Sequence, residues 1–210
     1  MKMNKTYPAA LRLWHWLTVL VITGVVGTAF LPGTFLNVGI TGRQAREVLA
    51  GQQVQISEEQ SWAIGRALAA NAWLVHQYLG YALVVLFVFR LLLEAMGKSG
   101  RRLFPPKRRA VPGATPPPSL AVRRIYLLFY LVLVIAVVTG ICLCMVPWYP
   151  ELRDYRSIRI LHEMTMYFTL VFIIIHLVGV IRAERRERSK GIVSGMINGG
   201  LETEPPLLRK

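Results

Sequence analysis

The chain has 210 residues, 54% of them hydrophobic, a formal net charge of +14 and a positive mean hydropathy. Several apolar runs approach or exceed the length that crosses a bilayer, which excludes a multi-domain soluble enzyme and points to one small integral membrane bundle. The charge does not signal nucleic acid, because the basic residues cluster beside apolar runs, where they set membrane orientation and favour anionic lipid.

Residues 1–30 begin basic and turn apolar, as a secretory leader would. The apolar run is too long for one, contains a histidine and lacks a small-residue cleavage site. It is read as an uncleaved first span, about residues 10–31, which retains His15. Residues 32–70 form the longest polar interval outside the apolar runs. Its first half is rich in Gly and Thr without a clear period. Its second half opens with Ser57 and Gln60 at capping-box spacing. Trp62, Ile64 and Leu68 then form a rough apolar stripe, which predicts a short helix on the membrane surface or an extension of the next span.

The second span, about residues 72–96, carries His76 near its start and Arg90 and Glu94 near its end. Residues 97–124 form a Pro-rich, strongly basic connector that reads as extended linker. The third span, about 125–147, has no histidine and stops at Pro147 and Pro150. Its two cysteines, Cys142 and Cys144, point about 200° apart on a helix. They offer neither a disulfide framework nor an iron–sulfur spacing, and read as buried small hydrophobes. The fourth span, about 157–181, holds His162 and His176. The tail, 191–210, reads as small and flexible after a basic stretch, so residues 1–190 contain the whole four-helix domain.

Lys and Arg concentrate in the N-terminus, the 97–124 connector and the tail, whereas 32–70 and 148–158 carry few, balanced by acids. The positive segments belong in the cytoplasm. The expected fold is therefore all-α and integral to the membrane, a bundle of four transmembrane helices with both termini cytoplasmic and 32–70 outside.

All four histidines of the sequence fall in predicted spans. Intramembrane histidine is costly and is by default a functional residue. His162 and His176, 14 residues apart, lie on nearly one helix face, at a separation of roughly 21 Å along the axis. Applying the topology, His15 and His176 lie at the cytoplasmic depth, His76 and His162 at the outer depth. Six-coordinate haem b requires this pattern, with one imidazole on each face of an iron held by two helices. Two such haems stacked across the bilayer would form an electron wire. A transition-metal site would want carboxylates or thiols at the same depth, and only Glu163 is near; that residue could instead exchange protons beside a quinone.

Arg90, 14 residues after His76, returns to the His76 face at the cytoplasmic depth, where a haem propionate would partner it; the bland alternative is snorkelling with an ion pair to Glu94. Arg12 and Arg159, each one turn before a histidine, are further propionate candidates. Thr165, Met166, Thr169 and Ile173 share the face between His162 and His176. Gly80, one turn from His76, would let a flat macrocycle approach, whereas Gly140 reads as helix packing.

RLWHW in the first span, HQYLGY followed by Arg90 in the second, and LHEMTMYFTLVFIIIH in the fourth resemble the prokaryotic cytochrome b561 superfamily. The tail, HLVGVIRAERRE and then GIVSGMINGG, is most similar to its branch of b-type cytochrome subunits of membrane-bound nickel–iron hydrogenases. The resemblance implies a diheme cytochrome b of the bacterial inner membrane, the quinone-reactive electron-transfer subunit of an oxidoreductase. It implies haem sharing by His15 with His176 and by His76 with His162, the pairing already reached from depth. It implies a periplasmic oxidoreductase partner, hydrogenase-like or other, and pairing of two copies within a larger complex. The connector is longer, more basic and richer in Pro than in that family, and 32–70 carries no motif that names a partner. A stand-alone quinone oxidoreductase fed by a small oxidant such as superoxide is the alternative, and a haem-free membrane anchor is the alternative of another class.

Overall fold

The computed structural model describes residues 7–97, 120–154, 156–185 and 191–199. The 97–124 connector lies outside them except at its two ends. The described residues form six α-helices, α1 (Ala9–Phe30), α2 (Val38–Gly51), α3 (Glu58–Ala95), α4 (Leu120–Cys144), α5 (Arg156–Glu184) and α6 (Ile192–Asn198), with short 3-10 turns at Leu31–Gly33 and Pro150–Asp154. Four of them, α1, α3, α4 and α5, are long and apolar enough to cross a membrane. Large apolar side chains such as Leu20, Val85 and Ile174 are mostly exposed. In water such a surface would aggregate, whereas hydrocarbon covers it without cost.

The chain divides into two compact units, one of residues 17–87 and one of residues 1–16 with 88–210. In the first unit, Asn37 caps α2 by accepting the N–H groups of Gly39 and Ile40. The sequence reading places no element here, because Gly39, Thr41 and Gly42 carry low helix propensity. Tertiary packing overrides that propensity. A Cβ on Gly42 would come within 2.6 Å of the Ser61 carbonyl oxygen, and one on Gly65 would collide with the Val38 carbonyl. These glycines are the places where α2 and the start of α3 touch backbone to backbone.

The capping box at Ser57 forms in both directions: Gln60 N–H donates to the Ser57 hydroxyl at 3.1 Å, and Ser57 N–H donates to the Gln60 side chain at 2.8 Å. Helix α3 then runs unbroken for 38 residues, about 57 Å at 1.5 Å per residue against about 30 Å of hydrocarbon. Its first turns therefore extend the second span, the second of the two readings open from sequence. Gly65→Val is expected to separate α2 from α3 at a cost of about 1–3 kcal/mol, typical of overpacking a tight contact. The check is faster proteolysis within 38–57 with α3 still helical; unchanged protection would show that the contact tolerates a side chain.

In the other unit, α4 and α5 pack antiparallel, with the Phe129 and Phe172 rings stacked 3.9 Å apart and Phe129, Val132 and Leu133 buried. The tail differs from the flexible reading, since residues 192–198 form α6. The Glu184 carboxylate accepts the N–H groups of Gly191, Ile192 and Val193 at its N-terminal end. At the other end, Arg12 Nη1 donates to the Ile197 carbonyl and Trp16 Nε1 to the Met196 carbonyl.

Candidate functional site

Each histidine sits half-buried on a long helix. In the 17–87 unit, His76 Nδ1 lies 3.1 Å from the Val25 carbonyl and 3.1 Å from the Thr28 hydroxyl. A carbonyl only accepts, so Nδ1 carries the proton and donates. The Thr28 hydroxyl spends its own proton on the Gly24 carbonyl, 2.8 Å away, and accepts in turn. The proton on Nδ1 leaves Nε2 as the basic nitrogen of His76.

In the other unit, the His15 and His176 rings lie with centroids 6.2 Å apart and planes inclined by 55°. His176 Nδ1 is 3.0 Å from the Tyr126 hydroxyl, and its ring stacks on Phe172 at 17°. His162 Nδ1 is 2.9 Å from the Thr139 hydroxyl, and a Cβ on Gly140 would stand 3.1 Å from His162 Cε1. Gly140, read from sequence as helix packing, gives room to a histidine ring. His176 and His162 take their Nδ1 partners from opposite ends of α4, the span without a histidine.

Thr28, Tyr126 and Thr139 went unnoticed in the sequence. Ordinary hydroxyl residues in apolar spans carry no signal by themselves. Retrospectively, Tyr126 and Thr139 are 13 residues apart on α4, about 20 Å, close to the axial distance between the two histidines they meet on antiparallel α5.

Arg90 takes the bland alternative as its partner. Its Nη1 donates to Glu94 Oε2 at 3.1 Å, its Nε donates to the Tyr130 hydroxyl at 3.2 Å, and its guanidinium lies 5.4 Å from the Trp14 ring centroid. The chain itself thus supplies the carboxylate expected from a propionate. Arg12 spends Nη1 on α6, yet its Nε is buried without a hydrogen-bond partner. Arg159 and Glu163 are exposed on α5 beside His162. Thr169 donates back along α5 to the Thr165 carbonyl, and the space in front of Gly80 is open.

The donor set fits a bis-imidazole iron. With metal–nitrogen bonds of about 2 Å and roughly 1.1 Å from ring centre to nitrogen, two axial imidazoles have centroids about 6 Å apart, as His15 and His176 do. The orphaned Arg12 Nε, one turn from His15, suits a propionate oxygen. Among the described residues, no group of three or more His, Cys, Asp and Glu side chains could hold a bare metal ion.

A family model described as prokaryotic cytochrome b561 matches residues 6–199. No curated protein and no solved structure matches the chain.

Proposed function

The chain belongs to the prokaryotic cytochrome b561 family, membrane proteins that bind haem b and transfer electrons, and from that premise we propose a diheme cytochrome b that relays electrons between a periplasmic redox partner and membrane quinone. His15 and His176 ligate one haem and His76 and His162 the other. The single observation that carries this reading is the His15–His176 separation of 6.2 Å, the spacing of two axial rings across one iron. The second pair rests on the matched depths read from the sequence.

When bound between two of these imidazoles, haem b would supply reversible one-electron chemistry rather than oxygen or peroxide chemistry. The protein's part is to hold the rings and exclude water. Val25, Thr28, Tyr126 and Thr139 hold three of the four rings through Nδ1. Arg12 Nε receives a propionate of the His15–His176 haem. The Lys and Arg bias supports an orientation with both termini cytoplasmic, and anionic lipid against the basic segments; the family resemblance supports the bacterial inner membrane. The 32–70 interval, with α2, is then the outer surface at which the partner docks. A hydrogenase-like subunit is one candidate among several periplasmic oxidoreductases, since the tail resembles that branch.

The test is a reduced-minus-oxidised spectrum with pyridine haemochrome quantitation, followed by mixing the reduced protein with a short-chain quinone. Two haems b per chain, both reoxidised by quinone, is the expected result. Haem-free protein in membranes and after purification would overturn the reading in favour of an anchor subunit. Two haems oxidised by superoxide without any partner chain would favour the stand-alone oxidoreductase.

A further inference from the structure

The geometry points to α4, the one span without a histidine, as the helix that meets both ligands on α5 at Nδ1: Thr139 fixes the tautomer of His162, and Tyr126 engages the Nδ1 of His176. This rests on the haem reading above but adds residues that neither the family nor the histidine pattern assigns.

A hydroxyl has one hydrogen to give and can accept two. Thr139 Oγ1 lies 2.6 Å from the Ile135 carbonyl, one turn back on α4, and 3.2 Å from that of Ala136. Both are pure acceptors, so the hydroxyl hydrogen is committed to the α4 backbone. Toward His162 Nδ1, at 2.9 Å, Thr139 accepts only. Nδ1 must then carry the imidazole proton, and Nε2 must carry the lone pair that binds iron. Thr139 is itself buried. Water therefore does not compete for its oxygen. Its neighbour Gly140 completes the seat, because any Cβ there would press on His162 Cε1 at 3.1 Å and turn the ring.

At the other end of α4 the partner of Nδ1 is a phenol. The Tyr126 hydroxyl meets His176 Nδ1 at 3.0 Å. A phenol can donate or accept, so it permits the ligating tautomer without enforcing it. The ring plane of His176 is held separately, by stacking on Phe172, which stacks in turn on Phe129 of α4. Thus α4 meets each α5 ligand at Nδ1, and it supports the His176 ring at one remove, through Phe129 against Phe172.

The electronic consequence has a definite sign. An acceptor on Nδ1–H gives the imidazole some imidazolate character, strengthens its donation to iron and favours the oxidised metal. Removing the acceptor shifts the midpoint potential upward. Because Thr139 and Tyr126 serve different histidines, each should move one haem only.

The experiment is a potentiometric titration with low-temperature electron paramagnetic resonance on purified Thr139→Val, Thr139→Ser and Tyr126→Phe. Each is compared in the full chain and in a His15→Ala background, where only the His76–His162 haem remains. Thr139→Val is expected to raise the potential of the remaining haem and shift its low-spin signal, and Thr139→Ser to return both to the parent values. Tyr126→Phe is expected to raise the potential of the other haem in the full chain and to leave the single-haem background unchanged. If Thr139→Val does not accumulate, Thr139→Ala against Thr139→Ser gives the same comparison. Two haems whose potentials and signals ignore Thr139→Val, or a serine variant that behaves like valine, would overturn the inference while leaving the diheme reading intact. A parent protein without haem would fail the diheme reading itself.

Discussion

His176→Ala is expected to purify with half the haem of the parent chain, and His15→Ala to lose the same half. Their ring centroids lie 6.2 Å apart, and loss of either imidazole would take one of the two axial ligands from the same haem. His162→Ala and His76→Ala should lose the other half together. The measurement is haem per chain by pyridine haemochrome for the four single variants and the two doubles within a pair. Within a pair, the double variant should retain as much haem as either single. A His15/His176 double that loses both haems, while each single loses one, would show that the histidines are paired otherwise.

Arg90→Leu is expected to be the most destabilising single change outside the histidines. The Arg90 and Glu94 side chains are 6% and 16% exposed, so removing the guanidinium leaves a carboxylate in an apolar span with its cation gone. Breaking a buried pair from one side costs about 3–5 kcal/mol. The Tyr130 hydroxyl would also lose the donor that Nε provides. Replacing both partners, Arg90→Leu with Glu94→Leu, removes the uncompensated charge and should recover most of the loss. The check is thermal denaturation in detergent, followed by the visible spectrum, for the two singles and the double. If the pair contributes only as a surface ion pair would, all three variants will melt within about 1 kcal/mol of the parent.

A buried Arg–Glu pair was half visible in the sequence. Spacing of four residues on one helix predicts the contact, but the same arginine also lies at haem depth, and composition does not choose between two carboxylates. In the structure Trp14 and Tyr130 stand around the guanidinium and Glu94 lies within 3.1 Å of it. Arg12 carries the converse lesson. Its sequence position suggests a propionate, and the structure gives one of its nitrogens to a short C-terminal helix and leaves Nε buried without a partner.

Helices α2 and α6 were missed for one physical reason. Both are short and rich in small residues, so intrinsic propensity does not sustain them. Each is held by contacts beyond its own residues, close backbone approach to Ser61 and Gly65 of α3 in the first case, hydrogen bonds with Glu184, Arg12 and Trp16 in the second. The capping box at Ser57, by contrast, was legible because all its partners lie within four residues.

The sequence by itself determined the all-helical class, the four spans and the confinement of every histidine to them. Apolar length and histidine spacing are properties of consecutive residues, and a bilayer of fixed thickness converts them directly into helices and depths. Only the tertiary structure decided which groups hold the His76, His162 and His176 imidazoles. That choice depends on how far each helix is rotated and slid against its neighbour. A shift of one residue on α4 would carry Thr139 about 100° around the axis, away from His162, without altering a single feature of the hydropathy that defines the span.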